Sequence, residues 1–554
     1  MSRDLEYPAA GAAIMFHRNS AATLLAVCVL SLSTASAAPP QKTPAYYTDV
    51  HGAGALIQSM HAVGRFDASY LSYRDSGVNW MLRQVREFPG EGRTWLQNPS
   101  AAKGVPNYQT TITVTANYSA TVLMEVYEQT HDPRLLKAIE DHIAWLKKTA
   151  HKRGSKQGVD ALFWTSRHQL DAGKRAANPR PLMSGNSWGF GNVLDAFGAY
   201  YRLTGDEDSL AYLERATRFA YLASIKSQGP SAAADARLRR GKPPVEAGDS
   251  TDHLERIHWK RYDGSVVTGF CRGCSGNVYA LQTAQQLIPG KQMTDDHSME
   301  DIINSGLRFL IDDADKQNAT AIWHNMNGRP GERNLGIGRG VSGIATTLWR
   351  GYEMNHKLGN QAMARQCRET AEGTIRLILE AVEALEPTEP LSEYVAAQDE
   401  QAGKKKAVDR SGLVVETIGI CSGISGTYRW LFEYADAVRA EDPQLAQRCE
   451  DATRIIAHRL INTAFVVDGT YAWKNHNPKF GGEKVVNLAI DHGQTGVVTA
   501  LAEIGLRLKD EQIMNASRRA ADFVVIHLVQ EGDGVKMPML VKIDPKAKPL
   551  VARR

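Results

Sequence analysis

Cys271, Cys421 and Asp491 stand at one position of a repeated motif, and Arg272, Arg339 and His492 at the next. The four copies read Cys271-Arg-Gly-Cys-Ser-Gly, Gly338-Arg-Gly-Val-Ser-Gly, Cys421-Ser-Gly-Ile-Ser-Gly and Asp491-His-Gly-Gln-Thr-Gly. Thiolate, imidazole and carboxylate are the protein ligands that zinc accepts. Cys421, His492 and Asp491 would form a Cys-His-Asp set with a fourth position open to water or a substrate thiol. Such a site lowers the pKa of bound water or stabilises a bound thiolate. Asp491 reads equally as the outer partner that orients His492, and Cys271 is a further candidate ligand. His492 also reads as a proton shuttle. Arg272 and Arg339, aimed into a cavity, would suit a carboxylate, a phosphate or an acidic sugar; turned the other way, they would bond loop carbonyls. His51, beside Gly52, is a candidate acid, base or ligand, and His324 and His476 are lesser ones.

These positions can meet in space only if the repeats form a ring or solenoid, which sets equivalent residues on one rim. The sequence reads as seven helical hairpins, at about 51–87, 110–150, 184–225, 271–315, 337–386, 421–462 and 491–530. Each first helix is apolar and rich in small residues, as in Gly343-Ile-Ala-Thr-Thr-Leu-Trp. Each second helix is amphipathic, as in Ser209-Leu-Ala-Tyr-Leu-Glu-Arg-Ala, with the 3.6-residue period of a half-buried helix. Thr130-His-Asp-Pro, Thr204-Gly-Asp-Glu-Asp and Glu441-Asp-Pro supply the turns and N-caps. Glycine permits the sharp entry and close approach that neighbouring inner helices need, and the free N–H groups at their starts would make the rim electropositive. Polar links between hairpins include short strand ribbons and carry Trp95, Trp164, Trp259, Trp323 and Trp473. Packing against the next hairpin is one role for these indoles and ligand stacking the other. The stretch 226–256, rich in Ala, Gly, Pro and charge, has the weakest order signal.

The Cys421-Ser-Gly and Asp491-His-Gly segments, each opening an inner helix, resemble the zinc motifs of the lanthionine synthetase C-like family. The resemblance covers about residues 184–530 best. It implies an all-α toroid of seven helical hairpins around a central cavity. It also implies zinc on Cys421 and His492, with Asp491 in place of the family's second cysteine, and a peptide or thiol substrate. Ser422 replaces an aromatic residue, Val415-Glu-Thr-Ile-Gly-Ile lacks the arginine usual in the cyclases, and Arg339 or Arg272 replaces a histidine.

A net charge of +4 over 554 residues does not point to nucleic acid. Phe16-His-Arg-Asn, the apolar run from Ala21 and Ala35-Ser-Ala37 form a signal peptide over 1–37, with Met15 a possible true start. Residues 38–554 then form one toroid domain, secreted or periplasmic, with no transmembrane segment. Five cysteines remain after cleavage, an odd number in an oxidising compartment. Cys271-Arg-Gly-Cys274 admits a redox pair, zinc ligands or a structural disulfide, and Cys367 and Cys449 sit in matching contexts that could pair. Three functions compete. The first is an exported zinc enzyme acting on a thiol or peptide. The second is a carbohydrate-active barrel enzyme (hydrolase, lyase or epimerase) acting on a glycan through carboxylates such as Asp491 and Glu416. The third is a noncatalytic binding module on the same fold.

Overall fold

The computed structural model describes residues 49–88, 90–95, 112–153, 159–164, 185, 189–226, 255–260, 265–317, 319–323, 326, 334–383, 418–474 and 485–543. The signal segment, Glu416, His324, His476 and most of 226–256 lie outside them. One compact unit spans Thr43–Arg554. Fourteen α-helices among the described residues form seven antiparallel hairpins, as the sequence periodicity predicts. They are α1 (Asp49–Gly64) with α2 (Leu71–Arg83), α3 (Ile112–Thr130) with α4 (Pro133–Thr149), and α5 (Phe190–Thr204) with α6 (Glu207–Ala223). Next come α7 (Cys274–Leu287) with α8 (Met299–Asp312) and α9 (Val341–Lys357) with α10 (Gln361–Glu383). The last are α11 (Tyr428–Val438) with α12 (Pro443–Asn462) and α13 (Gln494–Leu508) with α14 (Glu511–Val525).

The odd-numbered helices form an inner ring. Helix α3 packs between α1 and α5, α7 between α5 and α9, and α9 reaches α11. Helix α13 meets the 3-10 turn Ile424–Gly426 that leads into α11, and it also packs on α1, which closes the circle. The second helices form the outer layer, and the apolar core fills the space between the two.

The two layers begin by different physical means. Outer helices carry side-chain caps: Asp132 on α4, Asp206 on α6, Ser298 with Asp301 on α8, Asp442 on α12 and Asp510 on α14. Each cap satisfies one or more N–H groups that a helix start leaves open. Inner helices α7, α9 and α13 begin on Gly273, Gly340 and Gly493 with no side-chain cap. Their loops curl back over the helix start instead. Cys274 N–H donates to Val267 O (2.8 Å) and Val341 N–H to Asn334 O (3.0 Å). The Ser/Thr of the motif does likewise through its hydroxyl, Ser342 to Leu335 O (2.5 Å) and Thr495 to Leu488 O (2.7 Å). Carbonyls thus already cover these helix starts, and the electropositive rim expected from free N–H groups is not formed there. The glycines follow from the same crowding: a Cβ on Gly343 or Gly426 would lie 1.9 Å from the carbonyl oxygen of Ile337 or Ile420.

Short two-stranded ribbons follow most hairpins, and all five link tryptophans have one job. Their indole N–H groups donate to carbonyls near the end of the preceding outer helix: Trp95 to Met81, Trp164 to Leu146, Trp259 to Ala220, Trp323 to Leu310 and Trp473 to Leu460, at 2.8–3.0 Å. All are buried. They staple each link to the hairpin behind it, while Trp95, Trp164 and Trp259 also pack on the hairpin ahead, against His142, Phe197 and Gly306; buried on both sides, none stacks on a ligand. Strand pairing between Val485–Asn487 and Leu540–Lys542 brings the C-terminal segment onto the last hairpin. There Met537 and Met539 press against Gly52 of α1.

Candidate functional site

The four motif loops lie side by side and are joined through their backbones at the repeat position itself. Cys271 N–H donates to Gly338 O (2.6 Å), Gly338 N–H to Cys421 O (2.8 Å) and Cys421 N–H to Asp491 O (2.9 Å). The equivalence seen in the sequence is therefore a physical chain around one rim. Gly338 is the gap in it: a Cβ there would sit 2.5 Å from Cys421 Sγ. The Cys421 thiol leans into that gap and donates a hydrogen bond to Cys271. Donating this bond, with burial, raises the Cys421 thiol well above its usual range. Burial also opposes ionisation of Cys271, but the bond from Cys421 and the charges of Arg272 and Arg339 outweigh it and lower the Cys271 thiol. Of the two sulfurs, Cys271 is the one that loses its proton more readily.

Cys274 faces elsewhere. Its sulfur accepts from the Trp259 N–H (3.4 Å) and donates to the same residue's carbonyl (3.6 Å), and burial raises it to about 12. Neither the disulfide nor the redox pair read from Cys-x-x-Cys forms. Cys367 lies against Gly351, while Cys449 lies near Tyr434; both are free and buried, which removes the second suggested disulfide.

His51 joins the rim through ring closure, with Nε2 3.7 Å from Asp491 Oδ2 and its ring 4.8 Å from that of Tyr118. Burial lowers its pKa, with Asp491 opposing. His492 is lowered further by burial, and Arg339, Arg272 and His51 add to the effect. All the residues singled out as ligands or catalysts, Cys271, Cys421, Asp491, His492 and Arg339, thus belong to one neighbourhood. Their arrangement does not fit zinc. Among the described residues no three His, Cys, Asp or Glu side chains converge on one ion. Cys421 is turned to Cys271, Asp491 faces His51, and His492 is surrounded by cationic groups that disfavour a dication. The Cys421–His492–Asp491 set is corrected on that ground.

A second group of polar residues lines the bore, and sequence reasoning missed it. The Tyr279 phenol on α7 feels Arg350 on α9, Asp195 on α5, and Glu433 and Arg429 on α11. The Arg350 guanidinium lies 4.0 Å from the Tyr279 ring centre. Glu125 on α3 takes a hydrogen bond from Gln58 on α1 and feels Arg429 and Glu503 from across the ring. Side chains from all seven inner helices therefore face one axis. Arg429 is 49% exposed, so solvent reaches this wall. Burial raises the Glu433 carboxyl to about 7, against Arg350 and with help from Glu353. The wall residues follow the rim residues by seven positions: Arg272 precedes Tyr279, Ser422 precedes Arg429 and His51 precedes Gln58. That constant offset across repeats is the signal that could have found this wall.

No family model matches the sequence, and no curated protein does. Solved structures with a similar arrangement include cellobiose 2-epimerase from Bacillus thermoamylovorans B4167, at 10% identity and TM-score 0.36, covering 66% of this chain and 81% of that one. Cellobiose 2-epimerase from Spirochaeta thermophila DSM 6192 matches at 12% identity and TM-score 0.36, covering 74% and 86%. A UGL variant with dGlcA-Glc-Rha-Glc matches at 12% and 0.34, covering 72% and 86%. Likeness this low says nothing of what the chain acts on, so the functional reading rests on its own residues.

Proposed function

We propose that the chain is an enzyme performing acid–base chemistry on a polyhydroxylated substrate, a saccharide, in the bore. The observation that carries this reading is Glu433, a bore carboxyl lifted to about 7 on a wall that also holds Asp195, Glu125 and Glu503. Carboxyls pushed apart by environment can serve as acid and base at one pH. Arg350, Arg429, Tyr279, Tyr118 and Gln58 offer donors and acceptors with neither sign of charge dominating, which suits hydroxyl groups. Hydrolysis, elimination and epimerisation all need such a placed acid and base. The test is turnover of a glycan panel by the mature chain, with a metal chelator and with Glu433→Gln. The expected result is chelator-resistant activity, about 10²–10⁴-fold weaker in the variant. Full activity of Glu433→Gln, or no turnover of any glycan, refutes the reading.

A second reading is favoured by one specific observation, the Cys271–Cys421 pair. It keeps the lanthionine synthetase C-like expectation of a thiol or peptide substrate, with chemistry at the rim and Arg272 and Arg339 binding a carboxylate. Activity lost with Cys271→Ser but kept with Glu433→Gln would select it. For both readings we place the enzyme outside the cytoplasm on the segment 16–37; N-terminal sequencing of the mature protein checks cleavage after Ala37.

A further inference from the structure

We propose that Cys271 and Cys421 form a two-sulfur site for a thiophilic monovalent cation, copper(I) being the biological representative, bridging the rim across Gly338. Three features of the rim support it. The first is spacing. Cys271 and Cys421 flank the Gly338 loop, and each step is a direct backbone hydrogen bond. Neither cysteine is in a disulfide. The sulfurs nevertheless meet: Cys421 Sγ fills the space beside Gly338, 2.5 Å from where a Cβ would stand, and hydrogen-bonds Cys271. Two sulfurs within hydrogen-bond reach of each other suit a cation held between them. The same hydrogen bonds pin Cys271 and Cys421 in place, so the site is preformed.

The second feature is ligand number and type. Zinc needs four ligands and finds no set of three here. Thiolates select soft cations, and copper(I) is satisfied by two in line. The third is charge. One copper(I) with two thiolates carries a net charge of −1, and each thiol that binds releases its proton. Arg272 and Arg339 both act on Cys271 and would stabilise that anion, whereas they oppose a dication. Cys271 and Cys421 are 2% and 5% exposed, so bound copper is shielded from water.

The test is titration of the reduced, metal-free mature protein with copper(I), against a colorimetric copper(I) chelator. One copper(I) per chain is expected, with affinity falling by more than about a hundredfold in Cys271→Ser and in Cys421→Ser, since even outer-shell changes cost 10–100-fold. His492→Ala should bind as wild type does. Gly338→Ala leaves both thiols but fills the gap, and should weaken binding as well. Should a variant fail to fold by circular dichroism, X-ray absorption of the copper-loaded wild type decides: two sulfur neighbours without nitrogen support the site, and a histidine nitrogen overturns it. Unchanged copper affinity in both cysteine variants also overturns it. So does a Cys271–Cys421 disulfide in protein isolated without reductant, or tight zinc binding that requires His492.

Discussion

Glu433→Gln should make the protein more stable and less active, and the pH dependence of the gain reveals its cause. A carboxyl raised from 4.5 to about 7 keeps in the folded chain a proton that the unfolded chain has released. Stability therefore falls as pH rises between those values and stays lower above about 7. About 2.5 pH units at about 1.4 kcal/mol each amount to about 3 kcal/mol. Glu433 is only partly buried, and screening by bore water brings the expected penalty to about 1–3 kcal/mol. Glutamine keeps the shape and cannot ionise. Urea unfolding of both proteins from about pH 4 to 9 should give equal stabilities at the acid end and a gap of that size at the alkaline end. A site kept destabilised for chemistry behaves in this way. A gap independent of pH, or a variant less stable at neutral pH, would refute the reasoning and remove Glu433 as the tuned acid.

Trp323→Phe should lower stability by about 2–4 kcal/mol in thermal unfolding. It leaves the Leu310 carbonyl without its donor, at about 1–3 kcal/mol, and opens a cavity of ~40 Å³ worth about 1 kcal/mol; glycan turnover per folded molecule should not change. Gly426→Ala should cost more than about 3 kcal/mol, because its Cβ meets the Ile420 carbonyl at 1.9 Å. At Gly469, where φ is +80° and nothing lies within 4 Å, alanine should cost about 1–2 kcal/mol; equal losses at the two sites would break the close-approach account. His142 bonds Thr94 and Asn117, both at 2.8 Å, and burial lowers it to about 3. Its folded pKa is below the unfolded value, so stability should fall as pH drops from about 6.5 toward 3, by up to about 4–5 kcal/mol. His142→Gln should flatten that acid limb in pH-dependent denaturation.

The fold was legible because its determinants are local and repeated. Gly-x-x-Gly marks the inner helices through crowding at their starts, and Asp or Ser before a charged periodic stretch marks the outer ones. The rim was legible in membership but not in pairing. Aligning the repeats put Cys271, Gly338, Cys421 and Asp491 at one position, and the backbone chain follows that order. Which sulfur turns to which neighbour depends on Gly338 lacking a side chain, a contact between three loops up to 150 residues apart. The Cys-x-x-Cys spacing misled for a related reason, since Cys271 precedes the helix cap while Cys274 begins the helix and turns to Trp259. The bore carboxyls were missed because each stands on a different helix and no local pattern joins them. Only ring closure sets Glu125, Glu433 and Glu503 around one axis.

Rim and bore are not independent. Asp491 faces His51, whose ring packs on Tyr118. The Tyr118 hydroxyl donates to Gln58 (2.7 Å), Gln58 bonds Glu125, and Glu125 feels Arg429 and Glu503. Burial raises Tyr118 well above its usual range and Asp491 raises it further, so the phenol stays a donor at any physiological pH. A run of side-chain contacts thus joins the rim to the bore. The backbone chain makes that economical: the loops are fixed to one another, so electrostatics, which needs no displacement, is the means left to connect the two sites. An anion formed at the Cys271–Cys421 pair would lie beside Asp491 and oppose ionisation of its neighbours. The carboxyls along the wall would then hold their protons to higher pH. The sulfur pair and the acid–base wall are in this sense two ends of one electrostatic system, organised by the same seven helix starts.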